Sequence, residues 1–75
     1  MKALKWDEDA EKYDDVEISD EASLYEEDMD KVVACANCGQ PKAFGECYTS
    51  RTIHNEVGLG YAVCAACYWD ELKTM

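Results

Sequence analysis

The stretch CANCGQPKAFGEC, from Cys35 to Cys47, and the later CAAC, from Cys64 to Cys67, decide what this chain can fold into. Each contains two cysteines separated by two residues, a spacing that brings two sulfur atoms onto one metal ion. Two such pairs in 75 residues are a strong signal for a metal site made of four thiolates. A chain of this length buries only a small core, so we expect a metal or a disulfide to supply much of its stability.

The residues around the two pairs predict different local structures. Gly39 directly follows the first pair, where a positive φ lets the chain turn away at little steric cost, as in a zinc knuckle. The second pair opens a helical pattern, and thiolates in the first turn of a helix are stabilised by the unpaired amides and the dipole there. One face of this helix repeats at steps of three and four residues and consists of Ala65, Tyr68, Leu72 and Met75.

The segment between the two pairs predicts a β-hairpin. CYTSRTIHN is rich in β-branched and aromatic residues, EVGLG supplies a turn, and YAV leads back. Knuckle, hairpin and helix in this order predict a treble-clef finger over residues 31–75. The expected fold class is therefore a small α+β domain stabilised by zinc, in which an acidic arm over residues 1–30 precedes the treble clef.

The cysteine module resembles the four-cysteine treble-clef fingers of bacterial regulators, among them the zinc-binding domain of the ClpX chaperone, the DksA/TraR finger and the Gin-type anti-sigma proteins. The resemblance is carried by CANCG, about twenty-five intervening residues and CAACYWDEL at the start of a helix, so it covers residues 35–75. It implies that one structural zinc ion is bound and that the finger contacts other proteins. The ligands implied are Cys35, Cys38, Cys64 and Cys67.

Zinc is the favoured metal, and an iron-sulfur cluster is the main alternative because it also takes four thiolates. A thioredoxin-like redox pair would call for a βαβ pattern, which the sequence lacks. Four thiolates leave zinc no position for an activated water, so we expect a structural ion and no enzyme activity. We expect the fifth cysteine, Cys47, to be a small buried residue of the hairpin and His54 to be a surface or strand residue.

The formal net charge of -10 lies entirely in the first thirty residues. That segment carries thirteen carboxylates against Lys2, Lys5 and Lys12, whereas the four basic and four acidic side chains of residues 31–75 cancel. Direct binding of nucleic acid needs clustered Lys and Arg, which neither segment has. The expected partner is therefore a protein with a basic surface.

The spacing of apolar residues in the second part of the acidic arm predicts an amphipathic helix over about residues 20–32. Ser19 and Asp20 are suitable caps for its N-terminus. Its apolar face recurs every three or four residues and consists of Ile18, Ala22, Tyr25, Met29 and Val32 or Val33.

Upstream of this helix, aromatic residues stand within a run of carboxylates. We expect Trp6, Tyr13, Asp14 and Asp15 to contact the basic surface of a partner; the alternative is a solvated tail that keeps the protein soluble. Trp69 lies about 100° round the helix from its predicted apolar face. It is either covered by the acidic arm or exposed as an anchor for a partner or a second copy of the chain.

No apolar run is long enough to span a bilayer, and the opening residues turn acidic where a signal peptide would become apolar, so we expect a cytoplasmic protein. In that reducing compartment, paired cysteines are more often metal ligands than disulfides. The expected function is that of a small zinc protein, of bacterial or phage type, that binds and inhibits or otherwise regulates another protein. The resemblance makes RNA polymerase or a sigma factor the partner class. A dimeric adaptor that assembles through the finger is the alternative.

Overall fold

Over residues 1–73, which the computed structural model describes, the chain forms six strands and one α-helix. The strands β2, β1, β5 and β6 form a four-stranded sheet in that order, and β3 and β4 form a two-stranded sheet. All strand pairs are antiparallel, which confirms a small α+β fold with one C-terminal helix. The elements are β1 (Lys2–Asp7), β2 (Lys12–Glu17), β3 (Val32–Ala34), β4 (Pro41–Ala43), a 3-10 turn (Phe44–Glu46), β5 (Tyr48–His54), β6 (Gly60–Val63) and α1 (Ala65–Lys73).

The hairpin predicted between the cysteine pairs is formed by β5 and β6. Its turn is closed by Asn55, whose side-chain oxygen accepts hydrogen bonds from the amides of Val57 at 3.0 Å and Leu59 at 2.9 Å. Gly58 has a φ of +91° in this turn, a conformation that favours glycine. A bulge within β5 interrupts the pairing of the two strands.

Residues 2–17 form a second hairpin, β1–β2, which was not expected from the sequence. Because β1 lies between β2 and β5, this hairpin and the β5–β6 hairpin belong to one sheet. Opposite charges in facing positions stabilise strand pairing, so an acidic composition is compatible with ordered strands here. Each lysine faces a carboxylate in the register: Lys2 faces Glu17, Lys5 faces Asp14 and Lys12 faces Asp7.

The amphipathic helix predicted over about residues 20–32 is wrong, since these residues form turns and bends between β2 and β3. Within the segment, the side-chain oxygens of Ser19 and Ser23 accept hydrogen bonds from the amides of Glu21 and Tyr25, which competes with helix formation. Carbonyl groups of the segment accept hydrogen bonds from distant amides, so tertiary contacts override the helical periodicity. These bonds run from Ala34 to Glu21, from Ala62 to Ser23, from Gly45 to Met29 and from Phe44 to Lys31.

The predicted C-terminal helix is present as α1. Cys67 lies in its first turn, and Cys64 comes just before it. Tyr68 of the predicted apolar face packs against the core, whereas Met75 lies outside the described residues. The described chain contains no helix with the length and hydropathy that a membrane span requires.

One hydrophobic cluster joins the sheet, the cysteine pairs and the start of α1. Ala3 of β1 and Ile18, just after β2, are buried in it together with Ile53 of β5 and Val63 of β6. Residues of the acidic segment therefore contribute directly to the same core that surrounds the cysteines.

Candidate metal centre

Four cysteine thiols meet at the junction of β3, β6 and α1. Cys35 and Cys38 lie in the turn between β3 and β4, Cys64 follows β6, and Cys67 lies in the first turn of α1. Their four Sγ atoms all lie within 4.8 Å of one another, and those of Cys38 and Cys64 are 3.8 Å apart. The four cysteines are therefore close enough to bind one metal ion.

Backbone hydrogen bonds close the turn that carries the first pair. The amide of Gly39 donates to the carbonyl oxygen of Cys35, and the amide of Cys35 donates to the carbonyl oxygen of Gln40, both at 2.9 Å. Gly39 has the positive φ, +78°, that was expected after the pair. An added Cβ would meet nothing within 4 Å, so the backbone conformation and not space favours glycine here.

Three backbone amides point at the sulfur of Cys35. They belong to Asn37 and Cys38, each at 3.4 Å, and to Cys64 at 3.3 Å. Burial acts to raise the pKa of the Cys35 thiol, but these hydrogen bonds outweigh it and lower the pKa to about 7. Hydrogen bonds of this kind favour the thiolate, which is the form of cysteine that binds metals.

The thiol of Cys67 has a different environment. Burial, which disfavours the charged form, and hydrogen bonds with the neighbouring thiols of Cys64, Cys35 and Cys38 together raise its pKa to about 12. A thiolate at Cys67 next to a thiolate at Cys35 therefore needs a cation to balance it. Thiolates are soft ligands, so the donor set fits a divalent ion with a high affinity for sulfur.

The helix that carries Cys67 is fastened to β5 by Glu71. One carboxylate oxygen of Glu71 accepts hydrogen bonds from the hydroxyls of Ser50 at 2.6 Å and Thr52 at 3.0 Å. The other oxygen accepts from the amide of Arg51 at 3.0 Å. These bonds hold α1 against β5 one helical turn after Cys67, a contact that the sequence did not reveal.

Cys47 and His54 lie outside the group of four thiols. Cys47 is half-buried between the 3-10 turn and β5; its thiol donates to the carbonyl oxygen of Ala43 at 3.4 Å, and burial raises its pKa. His54 ends β5, as expected for a strand residue, and its Nδ1 is buried without a hydrogen-bond partner among the described residues.

The aromatic residues predicted to bind a partner form two separate clusters. Trp6 and Tyr13 face each other in the β1–β2 hairpin with ring centroids 5.0 Å apart. The ring centroids of Tyr13 and His54 are 5.8 Å apart. Trp69 is 51% exposed, and its ring neighbours are Tyr48 of β5 and Tyr68 of α1. The acidic segment therefore does not cover Trp69, which was one of the two expectations for it. Asp14 and Asp15, which complete the predicted set, are both exposed on β2.

An acidic groove of about 610 Å³ lies between the β1–β2 hairpin and α1. Its wall includes Cys67, so it adjoins the cluster of thiols, and Lys5 is the basic residue that lines it. Sequence reasoning missed this groove because the carboxylates that form it come from both ends of the chain. They are Asp7, Glu8, Asp9, Asp14, Asp70 and Glu71.

Comparison with known proteins found no family model, no curated protein and no solved structure with significant similarity to this chain.

Proposed function

We propose that this chain is a small zinc-binding protein that presents an acidic hairpin to the basic surface of another protein and thereby regulates it. The observation that carries the proposal is the attachment of the hairpin to the cysteine module. Because β1 pairs with β5, the carboxylates of β2 are held on the same sheet as the strands between the two cysteine pairs. They form an ordered acidic surface and not a solvated tail.

Zinc is the proposed metal because the spacing of the sulfur atoms suits a single tetrahedral ion. Zinc-sulfur bonds of about 2.3 Å place two sulfur atoms of a tetrahedron about 3.8 Å apart. The separation between Cys38 and Cys64 is 3.8 Å, and no pair of the four exceeds 4.8 Å. An iron-sulfur cluster distributes its thiolates over several iron atoms and so holds them further apart.

The treble clef is the proposed architecture of the metal module. Its support is the order of the elements: a cysteine pair in a tight turn, the β5–β6 hairpin and then a helix that begins at the second pair. Four thiolates saturate zinc, so the ion would hold these elements together and perform no chemistry. In the cytoplasm, the proposed compartment, the thiols stay reduced and available to the metal.

The proposed partner class is the bacterial transcription machinery, either RNA polymerase or a sigma factor. Proteins that bind nucleic acid carry basic surfaces, and an acidic hairpin competes for such a surface through charge. The choice of this class rests on the resemblance of CANCG and CAACYWDEL to regulatory fingers and on the charge of the hairpin.

Direct binding to purified RNA polymerase and to a purified sigma factor tests the proposal. We expect the zinc-loaded chain to bind one of them at low salt and to lose affinity as salt rises. Neutralising β2 with Asp14→Asn and Asp15→Asn is expected to weaken binding about tenfold. The control, Glu46→Gln with Glu56→Gln, removes two charges from exposed positions outside the β1–β2 hairpin. This double variant is expected to bind as tightly as the unmodified chain. Binding that ignores salt, equal loss in both double variants, or no binding would contradict the proposal.

A dimeric adaptor is the second candidate, and the Tyr48–Tyr68–Trp69 cluster favours it. Tyr48 and Tyr68 stack with ring centroids 4.7 Å apart, and the half-exposed Trp69 extends their surface. Exposed tryptophan is common in interfaces. Sedimentation equilibrium would reveal a dimer that Trp69→Ala dissociates and Trp6→Ala leaves intact, and a monomer at high concentration would exclude it.

A further inference from the structure

The outer edge of β2 is an open sheet edge. β2 is the end strand of the four-stranded sheet, and within residues 1–73 nothing hydrogen-bonds to its outer side. The opposite edge is covered, because the amide of Ala62 in β6 donates to Ser23 at 2.9 Å and its carbonyl oxygen accepts from Ala36 at 3.0 Å. Of the two edges of the four-stranded sheet, β2 is therefore the one along which no backbone hydrogen bonds join it to another part of the described chain.

The hairpin register identifies which backbone groups of β2 are available. Met1 and Ile18 exchange two hydrogen bonds, of 2.8 Å and 3.1 Å, so they form a hydrogen-bonded pair. Such pairs alternate with non-hydrogen-bonded pairs along an antiparallel ladder. Every second residue of β2 therefore directs its amide and carbonyl groups away from β1. These residues are Tyr13, Asp15 and Glu17.

The charges of β2 disfavour pairing with a second copy of the same strand. Asp14, Asp15 and Glu17 outweigh Lys12, and an antiparallel pair of two β2 strands centred on Asp15 would set the Asp15 carboxylates of the two copies face to face. Like charges in facing positions are destabilising, and charged side chains are a common protection of open edges. A strand with basic side chains meets no such penalty, since it places opposite charges in the facing positions.

We propose that an extended segment of a partner protein, with lysine or arginine at alternate positions, adds to β2 as a fifth antiparallel strand. This rests on the proposed function, because it takes the partner to be a basic protein, and it specifies how that partner is recognised. The basic side chains of the added strand lie opposite Asp15 and Glu17 of β2. Tyr13, which is 48% exposed, offers an aromatic ring to a neighbouring cation. Backbone hydrogen bonds provide the affinity and the alternating charges provide the specificity.

Two synthetic peptides with the same charge separate strand addition from simple charge attraction. Acetylated and amidated (Lys-Thr)4 can form a strand, whereas (Lys-Pro)4 is extended but cannot form a β-ladder. With the zinc-loaded full chain at low salt, we expect (Lys-Thr)4 to bind at least about tenfold more tightly than (Lys-Pro)4. We also expect it to slow hydrogen exchange at the amides of Tyr13, Asp15 and Glu17, which NMR resolves one residue at a time.

A proline variant tests the same contact from the side of the protein. The amide of Asp15 bonds to nothing within the described fold, so Asp15→Pro is compatible with an edge strand. Its matched control, Asp15→Ala, removes the same charge but keeps the amide. Asp15→Pro is expected to bind (Lys-Thr)4 about tenfold more weakly than Asp15→Ala, with unchanged binding of (Lys-Pro)4.

The outcomes distinguish the two proposals. Equal binding of both peptides, without slowed exchange in β2, overturns strand addition and leaves acidic docking in place. Absence of binding by either peptide at low salt contradicts both. If Asp15→Pro does not fold, hydrogen exchange on the unmodified chain still decides the question.

Discussion

Glu71 joins α1, the helix that carries Cys67, to β5. Its carboxylate accepts hydrogen bonds from two hydroxyls and one amide of β5, at 2.6 to 3.0 Å. Removing it leaves those donors without their acceptor, and hydrogen bonds to a charged group are among the stronger ones. We expect Glu71→Ala to lower the free energy of unfolding of the zinc-loaded chain by about 2–3 kcal/mol, measured by chemical denaturation.

Asp70→Ala is the matched control for this prediction. Asp70 is an exposed carboxylate one position earlier in α1, so its loss changes the charge of the helix by the same amount. We expect a change within about 0.5 kcal/mol, as is usual at exposed positions. Equal destabilisation by both variants would mean that the charge of α1, and not the bonds to β5, is what Glu71 supplies.

The residues of the thiol cluster and their supporting Glu71 differ in how far the sequence reveals them. Cys35 and Cys38 are recognisable because their spacing and the following Gly39 belong to one local turn. Glu71 and Ser50 carry no such signal, since they meet only after α1 has packed on β5. Local chemistry is therefore predictable from the sequence, whereas contacts between distant segments depend on the fold.

The same contrast holds for whole elements. The β5–β6 hairpin and α1 were predictable, because their turn residues and apolar periodicity are strong local signals. The β1–β2 hairpin was missed because its acidic composition resembles that of disordered segments. A signal was present, since Lys2, Lys5 and Lys12 are placed so that a hairpin sets each against a carboxylate. The helix expected over residues 20–32 failed because its carbonyl groups accept hydrogen bonds from other elements.

Ile18 tests whether the acidic segment is part of the core. Its side chain is 8% exposed and lies in the same hydrophobic cluster as Cys35 and Cys67. Truncation would leave a cavity, so we expect Ile18→Ala to lower the free energy of unfolding by about 2–4 kcal/mol, measured by chemical denaturation. Tyr25→Ala is the control, because Tyr25 belongs to the same segment but is 69% exposed. A small effect of Ile18→Ala would show that the hairpin is docked only loosely on the metal module.

Charge and stability are linked at the scale of the whole molecule. The chain carries a formal net charge of -10 on a small core. Four thiolates and one divalent ion would add a further -2, so the metal-loaded protein would carry about -12 from the charges of its groups. Self-repulsion at this charge opposes the compact state, and the free energy of metal binding would offset it. Zinc binding to small finger domains contributes about 10–16 kcal/mol, as much as the entire stability of an ordinary domain.

Removal of the metal is therefore expected to unfold the acidic hairpin together with the cysteine module. Cys35, Cys64 and Cys67 share one buried cluster with Ala3 of β1, so loss of the ion would open the core beneath the hairpin as well. After chelation, we expect amide protection in β1 and β2 to disappear along with that in β5, and to return when zinc is added. Hydrogen exchange followed by NMR measures the protection of the β1–β2 hairpin and of the cysteine module in one sample.

Two serine variants, each of which removes one thiol, test whether unfolding of the β1–β2 hairpin follows from loss of the metal. Cys38→Ser removes a member of the four-thiol group and is expected to lose zinc and with it the protection of the hairpin. Cys47→Ser removes the thiol outside that group and is expected to keep one zinc per chain and a folded hairpin. If β1 and β2 stay protected in the metal-free chain, the hairpin is stable by itself. The acidic surface would then be independent of the metal, and zinc would stabilise only the module between Cys35 and α1.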